Sequence, residues 1–248
     1  MCYAFSPVQD PTGHITWLPP KVVKQYIQEG KIQEPKWTFP GDRTDIYRWT
    51  KNGIEPTQMR FDLVPRFYLK KENLPLEEML KRKRSKKKGG GGFDSYNARS
   101  ESIFEKASFR TPWAEGNRMV VRVDAFRERP NMDEAPKEFR GREYIIRLGS
   151  PKNLAGVWDR WENRQGESLE SFSIVTLDSL GNQMLRGIWH ERCPLILDDS
   201  QVEEWLDPKT SPERAKELIR LYSAEQMTLE EVKRAQKKVA EQDQQSLL

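Results

Sequence analysis

The chain of 248 residues is 36% hydrophobic and 10% aromatic, enough for one large packed domain or two small ones, which excludes a chain without a core. No run approaches the apolar length of a membrane span, and the opening MCYAFSPVQD lacks the basic and apolar regions of a secretory signal, so the expected compartment is intracellular. The net charge of +4 is unevenly placed, because Lys81 to Lys88 (KRKRSKKK) alone carries seven positive charges.

In chain order, Pro19-Pro20 followed by KVVKQYIQEG predicts a short amphipathic helix that stops near Gly30. Residues 37–65 read as strand and turn, with MRFDLVP (59–65) a short strand closed by proline, and Leu74 to Arg84 reads as helix. The basic run and Gly89 to Gly92 together predict a solvated, flexible insertion over 81–92; its composition suits a nucleic-acid contact, a nuclear-import signal or a loop without a specific task. From Met119 the pattern changes to short β runs, MVVRVDAF, EYIIRL, LAGVWDRW, ESFSIVTL and CPLILD, each bounded by Gly, Pro, Asp or Asn. That predicts an α+β fold built on an antiparallel, barrel-like or sandwich sheet with peripheral helices. GNQMLRG (181–187) reads as a flexible link between strands. Ser200 with Glu203 predicts a capping box and a helix ending at Asp207-Pro208, and Ser211-Pro212 opens another. Thr228 with Glu231 predicts a third, with Leu229, Val232, Ala235 and Val239 on one face. The expected organisation is a catalytic domain over 1–208 and a helical extension over 209–248.

Cys2 and Cys193 are the two cysteines, and a disulfide between them is not expected in a reducing compartment. With His14 and His190 they make up all the soft ligands, at spacings that fit no zinc pattern, so neither metal nor other cofactor is expected. Met1-Cys2 carries a chemistry of its own. Initiator methionine is normally trimmed before a small side chain, which would leave Cys2 with a free α-amine and a thiol on adjacent carbons. An α-amine titrates at about 7.7–8.0 and a thiol at about 8.5, so a useful fraction of each is nucleophilic near neutrality. Aldehydes are the natural target: the amine condenses to a Schiff base and the thiol closes it to a thiazolidine. Met-Cys alone is a weak motif, and its partners come later in the chain.

Those partners are Asn97-Ala98-Arg99-Ser100-Glu101, then Val123-Asp124-Ala125-Phe126-Arg127-Glu128, then Ile188-Trp189-His190-Glu191-Arg192-Cys193-Pro194. Read with Met1-Cys2, and with Leu63-Val64-Pro65, LAGVW (154–158) and Trp205-Leu206-Asp207-Pro208, residues 1–208 resemble the SOS-response-associated peptidase (SRAP) family in order and spacing. The family pattern departs here at Tyr3 and Ala4 (usually Gly-Arg), Ala125 (Gly), Arg127 and Arg129 (aromatic), and Phe61-Asp62 (Trp-Gly).

The resemblance implies a β-rich cleft that holds single-stranded DNA and traps the ring-opened aldehyde of an abasic site on the N-terminal cysteine. It implies catalytic roles for Cys2, Asn97, Glu128 and His190. An abasic sugar is mostly a closed hemiacetal, so an imidazole such as His190 suits its opening, and a buried Glu128 can relay the proton of the α-ammonium. Asn97 can hold the amine or a sugar hydroxyl without competing for protons. Arg99 suits a bidentate phosphate clamp, with Arg118 and Arg127 as weaker phosphate contacts and Phe39-Pro40, Phe61 and Phe67 as shelves for bases. Schiff-base chemistry also permits β-elimination, a lyase activity. Two other readings stand beside this one: a thiol peptidase or self-processing enzyme that uses Cys2 as nucleophile and sheds Met1, and a non-catalytic DNA-binding module. The expected partner is abasic single-stranded DNA, bound by a monomer without a membrane.

Overall fold

The computed structural model describes residues 3–8, 16–30, 36–69, 71–84, 94–131, 133 and 135–232; Met1, Cys2, His14, most of the basic insertion and the chain beyond Val232 lie outside them. A ten-stranded sheet forms the body. Strand β1 is Ala4–Pro7, β2 Arg43–Thr50, β3 Gly53–Phe61, β4 Asn97–Arg99, β5 Arg118–Glu128, β6 Tyr144–Glu162 and β7 Ser168–Asp178. Short β8 (Arg192–Pro194) and β9 (Ile196–Leu197) follow, with β10 (Met227–Glu231) last. Helices α1 (Pro20–Gln28), α2 (Leu76–Arg84), α3 (Arg110–Ala114), α4 (Gln183–Gly187), α5 (Asp199–Leu206) and α6 (Pro212–Glu217) lie between them.

Strands β5, β2, β3, β7 and β6 follow one another around a ring that β6 closes back on β5. Most junctions are antiparallel, as expected. Two are parallel, β3 on β7 and β4 on β7, so the sheet is mixed, and the β2–β5 and β3–β7 junctions are only two residue pairs long. The ring is therefore a partial barrel. Its inward side chains, among them Phe5, Ile46, Met59, Phe61, Met119, Val121, Phe126, Phe172 and Ile174, form one core. Their strand neighbours Tyr47, Val120, Ala155, Val157 and Val175 point the other way and meet Val23, Trp113, Val202, Trp205 and Ala215 of the helices. This alternation is the period of two of an extended strand. Gly156 shows why one of those runs needs its glycine: a Cβ there would sit 2.2 Å from the carbonyl oxygen of Ser173 across the β6–β7 ladder.

Several boundaries differ from expectation. EYIIRL and LAGVWDRW are one 19-residue strand, and the intervening Gly149-Ser150-Pro151 is absorbed where the register on β5 jumps from Val123↔Lys152 to Ala125↔Arg147. GNQMLRG is not a flexible link but a helix N-capped by Asn182, whose side chain accepts from Leu185 N at 3.0 Å. The helix over 199–206 starts from a capping box of Asp198 and Gln201 rather than Ser200 and Glu203. Ser211 and Pro212 open α6 as read. Met227–Glu231, expected to begin a capped helix, is strand β10 on the edge of β6, from Met227↔Leu148 to Glu231↔Tyr144; Ala235 and Val239 lie outside the described residues.

The basic run also has a structured root. Residues 81–84 complete α2, and the Lys83 side chain is buried with its ammonium 2.5 Å from Asp62 Oδ1. Ser95 donates to the same oxygen from its backbone N–H, so both ends of the insertion meet at Asp62, whose backbone is left-handed at φ 96°. Burial pushes the Lys83 ammonium below its ordinary value, with Asp62 opposing. Lys83→Met keeps most of the volume but leaves a buried carboxylate without its main cation. It should lower the unfolding free energy by roughly 3 kcal/mol, the low end for such pairs because Arg60 and Ser95 remain. Adding Asp62→Asn should restore most of that in urea denaturation, and a single variant as stable as wild type would show the pair to be neutral.

Candidate functional site

The site begins where β5 ends. Glu128, the last residue of that strand, is fully buried, and β1 runs antiparallel beside it through Ala4↔Arg127 and Phe5↔Phe126. The first strand of the chain is thus sewn to the last residues of β5, which brings Ala4 opposite Arg127 at this end of the ring.

His190 arrives from the other side. Helix α4 ends in a tight turn in which Trp189 takes a left-handed φ of 56°, His190 N donates to Leu185 O at 3.0 Å, and Ser179 Oγ donates to His190 O at 2.7 Å. A bulky residue in that conformation is held there by its surroundings, a cost met mostly at functional turns. The turn aims the buried imidazole between two groups: Nδ1 lies 2.8 Å from Arg129 O and Nε2 lies 3.1 Å from Glu128 Oε2. A carbonyl can only accept, so Nδ1 carries a hydrogen. On its other side Nε2 faces the Glu128 carboxyl at 3.1 Å, so two groups able to exchange protons stand side by side. Such a pair can give a proton to one atom of a substrate and take one from another without rearranging.

Cys193 sits behind the pair in β8. Burial, aided by the nearby Glu128 carboxylate, pushes its thiol up to about 12, so it stays protonated and is not a nucleophile near neutrality. Cys2 lies outside the described residues.

Asn97 and Arg99 are the ends of β4, which runs parallel to β7 through Asn97↔Ile174 and Arg99↔Thr176. Asn97 is half-buried and Arg99 exposed. Glu101, two residues on, receives both guanidinium nitrogens of Arg192 at 2.9 Å, and that bidentate pair locks the Asn-Ala-Arg segment to the strand that follows His190. Although partial burial acts the other way, Arg192 holds the Glu101 carboxyl below its usual range.

The arginines expected to meet phosphate divide. Arg118 is a correction: it is 1% exposed, and it donates to the carbonyls of Trp205 (2.5 Å), Asp207 (2.7 Å) and Thr210 (2.7 Å). It closes the C-terminal end of α5, where the last helical carbonyls lack partners, so it is a structural residue. Arg127 is engaged as well, 3.0 Å from Glu143 and with its guanidinium 4.1 Å from the Trp37 ring centre. Pro40 is exposed in the Phe39–Asp42 turn, and Phe39 lies 6.5 Å from the Tyr3 ring. Phe61, by contrast, is fully buried in the ring and cannot serve as a shelf, whereas Phe67 is half exposed.

Sequence reading missed Glu143, on which Arg127, Arg129 and the Tyr3 phenol converge. Although burial acts to raise it, those three groups hold its carboxyl below the ordinary range. Nothing in the chain marked it among 38 acidic residues.

A model of the family described as SOS response associated peptidase (SRAP) matches residues 20–239, a stretch that contains Asn97, Glu128 and His190 but begins after Cys2. Among curated proteins, the chain is 32% identical over 137 residues to abasic site processing protein YoqW of Bacillus subtilis (strain 168), covering 55% of this chain and 58% of that protein. It is 26% identical over 238 residues to abasic site processing protein HMCES of Rattus norvegicus, covering 77% of this chain and 62% of that protein. The matched stretch thus spans about three fifths of these relatives. The fold is shared with solved structures from Bordetella bronchiseptica (TM-score 0.67, 20% identity, 94% of this chain and 100% of that one) and Bacteroides thetaiotaomicron (TM-score 0.67, 24% identity, 94% and 92%). With the segments carrying Asn97, Glu128 and His190 on one partial barrel and the family model matched over residues 20–239, the chain belongs to the SRAP family.

Proposed function

We propose that this protein processes abasic sites in single-stranded DNA by trapping the sugar aldehyde on Cys2 after loss of Met1. The observation that carries the reading is the buried Glu128–His190 contact of 3.1 Å at the end of β5 against which the first strand of the chain is paired. An aldehyde trap needs that machinery beside a nucleophilic terminus. His190 opens the hemiacetal by moving one proton, and Glu128 takes a proton from the α-ammonium and returns it when the carbinolamine loses water. The thiol then adds to the imine carbon. The net change is one aldehyde, one amine and one thiol giving one thiazolidine and one water, with no oxidant or reductant. Asn97 steadies the amine or a sugar hydroxyl and Arg99 a backbone phosphate. The names of the curated relatives, abasic site processing proteins, support abasic sites as the target.

Incubating the purified protein with single-stranded DNA holding one abasic site should give a band stable to SDS and heat. A thiol peptidase or a non-covalent binding module would give none, and either outcome discards the proposal.

The basic tract supplies a second test. Because Lys83 anchors α2, the segment to remove is 85–92 and not 81–92. If the tract contacts phosphates, its deletion should weaken DNA binding at low salt and flatten the salt dependence while the crosslinking rate on bound DNA holds. An unchanged salt slope would remove it from the DNA interface.

A further inference from the structure

A chain terminus frays unless something ties it down, and a nucleophile placed there reacts only as well as it is held. The described residue nearest the N-terminus is Tyr3, and its partners lie around Glu128. The Arg129 guanidinium stacks over the Tyr3 ring at 4.4 Å from its centre. The same guanidinium is tethered to Glu143 at 3.3 Å, and Glu143 is also fixed by Arg127 at 3.0 Å. Phe39 lies against the Tyr3 ring as well, with centroids 6.5 Å apart. Arg129 has a second connection through its backbone, since its carbonyl accepts from His190 Nδ1 at 2.8 Å. One residue therefore orients the imidazole with its main chain and grips the neighbour of Cys2 with its side chain. It stands where the family pattern has an aromatic residue, and Tyr3 stands where that pattern has glycine, so the two departures meet in one contact.

We propose that Arg129 is a positioning residue: through Tyr3 and Glu143 it ties the start of the first strand beside the Glu128–His190 pair and so sets the rate at which Cys2 captures an aldehyde. This rests on the aldehyde-trap reading above and adds to it which side chains order the strand that leads to the terminus. Arg129 is the rival of a phosphate contact here, because its side chain is 58% exposed, and the two roles separate by experiment.

The test compares wild type, Arg129→Ala, Arg129→Lys, Tyr3→Ala, Tyr3→Phe and the Tyr3→Ala/Arg129→Ala double variant in three measurements. These are the single-turnover rate of stable adduct formation at saturating abasic single-stranded DNA, the rate with propanal, which has no phosphate, and the affinity with its salt slope for DNA carrying a tetrahydrofuran at the lesion. Propanal reactivity is referred to the peptide Cys-Tyr-Ala. A positioning role predicts that Arg129→Ala slows both reactions by about 10–10²-fold and moves the pH–rate profile toward that of the peptide, while tetrahydrofuran-DNA affinity and slope stay put. Tyr3→Phe keeps the ring and should retain most of the rate, Arg129→Lys should fall between, and the double variant should be no slower than the slower single. Thermal unfolding checks each fold, and Arg129→Gln replaces the alanine variant should that one not fold.

Arg129→Ala reacting with propanal at the wild-type rate overturns the proposal, and a salt slope reduced by about one in that variant would identify a phosphate contact instead. A wild-type protein no faster with propanal than the peptide overturns it too. Wild type that outpaces the peptide on propanal but forms no adduct with abasic DNA discards the DNA reading and leaves the positioning role standing.

Discussion

Retaining Met1, or placing any residue ahead of Cys2, should abolish the heat-stable adduct with abasic DNA while the fold and non-covalent DNA affinity are unchanged. A thiazolidine needs the amine and the thiol of one residue on the same former aldehyde carbon, and an acylated amine cannot form the imine that the thiol must attack. The two halves of the residue fail differently. Cys2→Ser keeps the amine, so an imine still forms, but the poorer hydroxyl nucleophile leaves it open to hydrolysis, to borohydride trapping and to β-elimination with strand cleavage. Cys2→Ala should behave likewise. Adducts are scored on denaturing gels with and without borohydride and heat. Cys193 cannot substitute, because burial and the nearby Glu128 carboxylate keep its thiol protonated. A blocked N-terminus that still gave a heat-stable band would show a thiol acting alone and would rule out the ring.

Glu128→Gln and His190→Ala should each slow crosslinking by roughly 10²–10⁴-fold at saturating DNA, with tetrahydrofuran-DNA affinity little changed. The reason is that the two groups face each other. With Nδ1 on the Arg129 carbonyl and Nε2 3.1 Å from the carboxyl, the proposed mechanism has the two act as one acid–base unit, so removing either should leave the other without a relay. The double variant should therefore be scarcely slower than the worse single, as for residues that act together. Glu128→Gln keeps the shape of a fully buried side chain and is the cleaner probe, since it changes proton transfer and little else. Should both single variants react at wild-type rates in rapid-quench assays, the acid–base pair would have to be sought elsewhere.

Much of this was legible in the sequence where the governing physics is local. Pro20 at a helix start, Ser211-Pro212 before α6 and the β run MVVRVDAF each depend on residues a few positions apart, and each appears where read. The motif order also sufficed to bring forward Glu128 and His190, 62 positions apart and in contact. What the sequence left open depends on partners far along the chain. Thr228 to Val232 has apolar residues at a spacing that suits a helix, and it became a strand because β6 offered a row of backbone partners, continued by Val232 N on Glu143 O at 2.8 Å. Arg118 and Lys83 look like any surface cation in a list of 42; only the fold brought the carbonyls at the end of α5 over one and the Asp62 carboxylate against the other. Charge and residue type are properties of a position, and the sequence by itself determined those, together with local periodicity and capping. Burial and pairing are properties of a neighbourhood. Only the tertiary structure decided that Arg127, Arg129 and Tyr3 would share Glu143, because ring closure brings strand ends together over distances that no spacing rule spans.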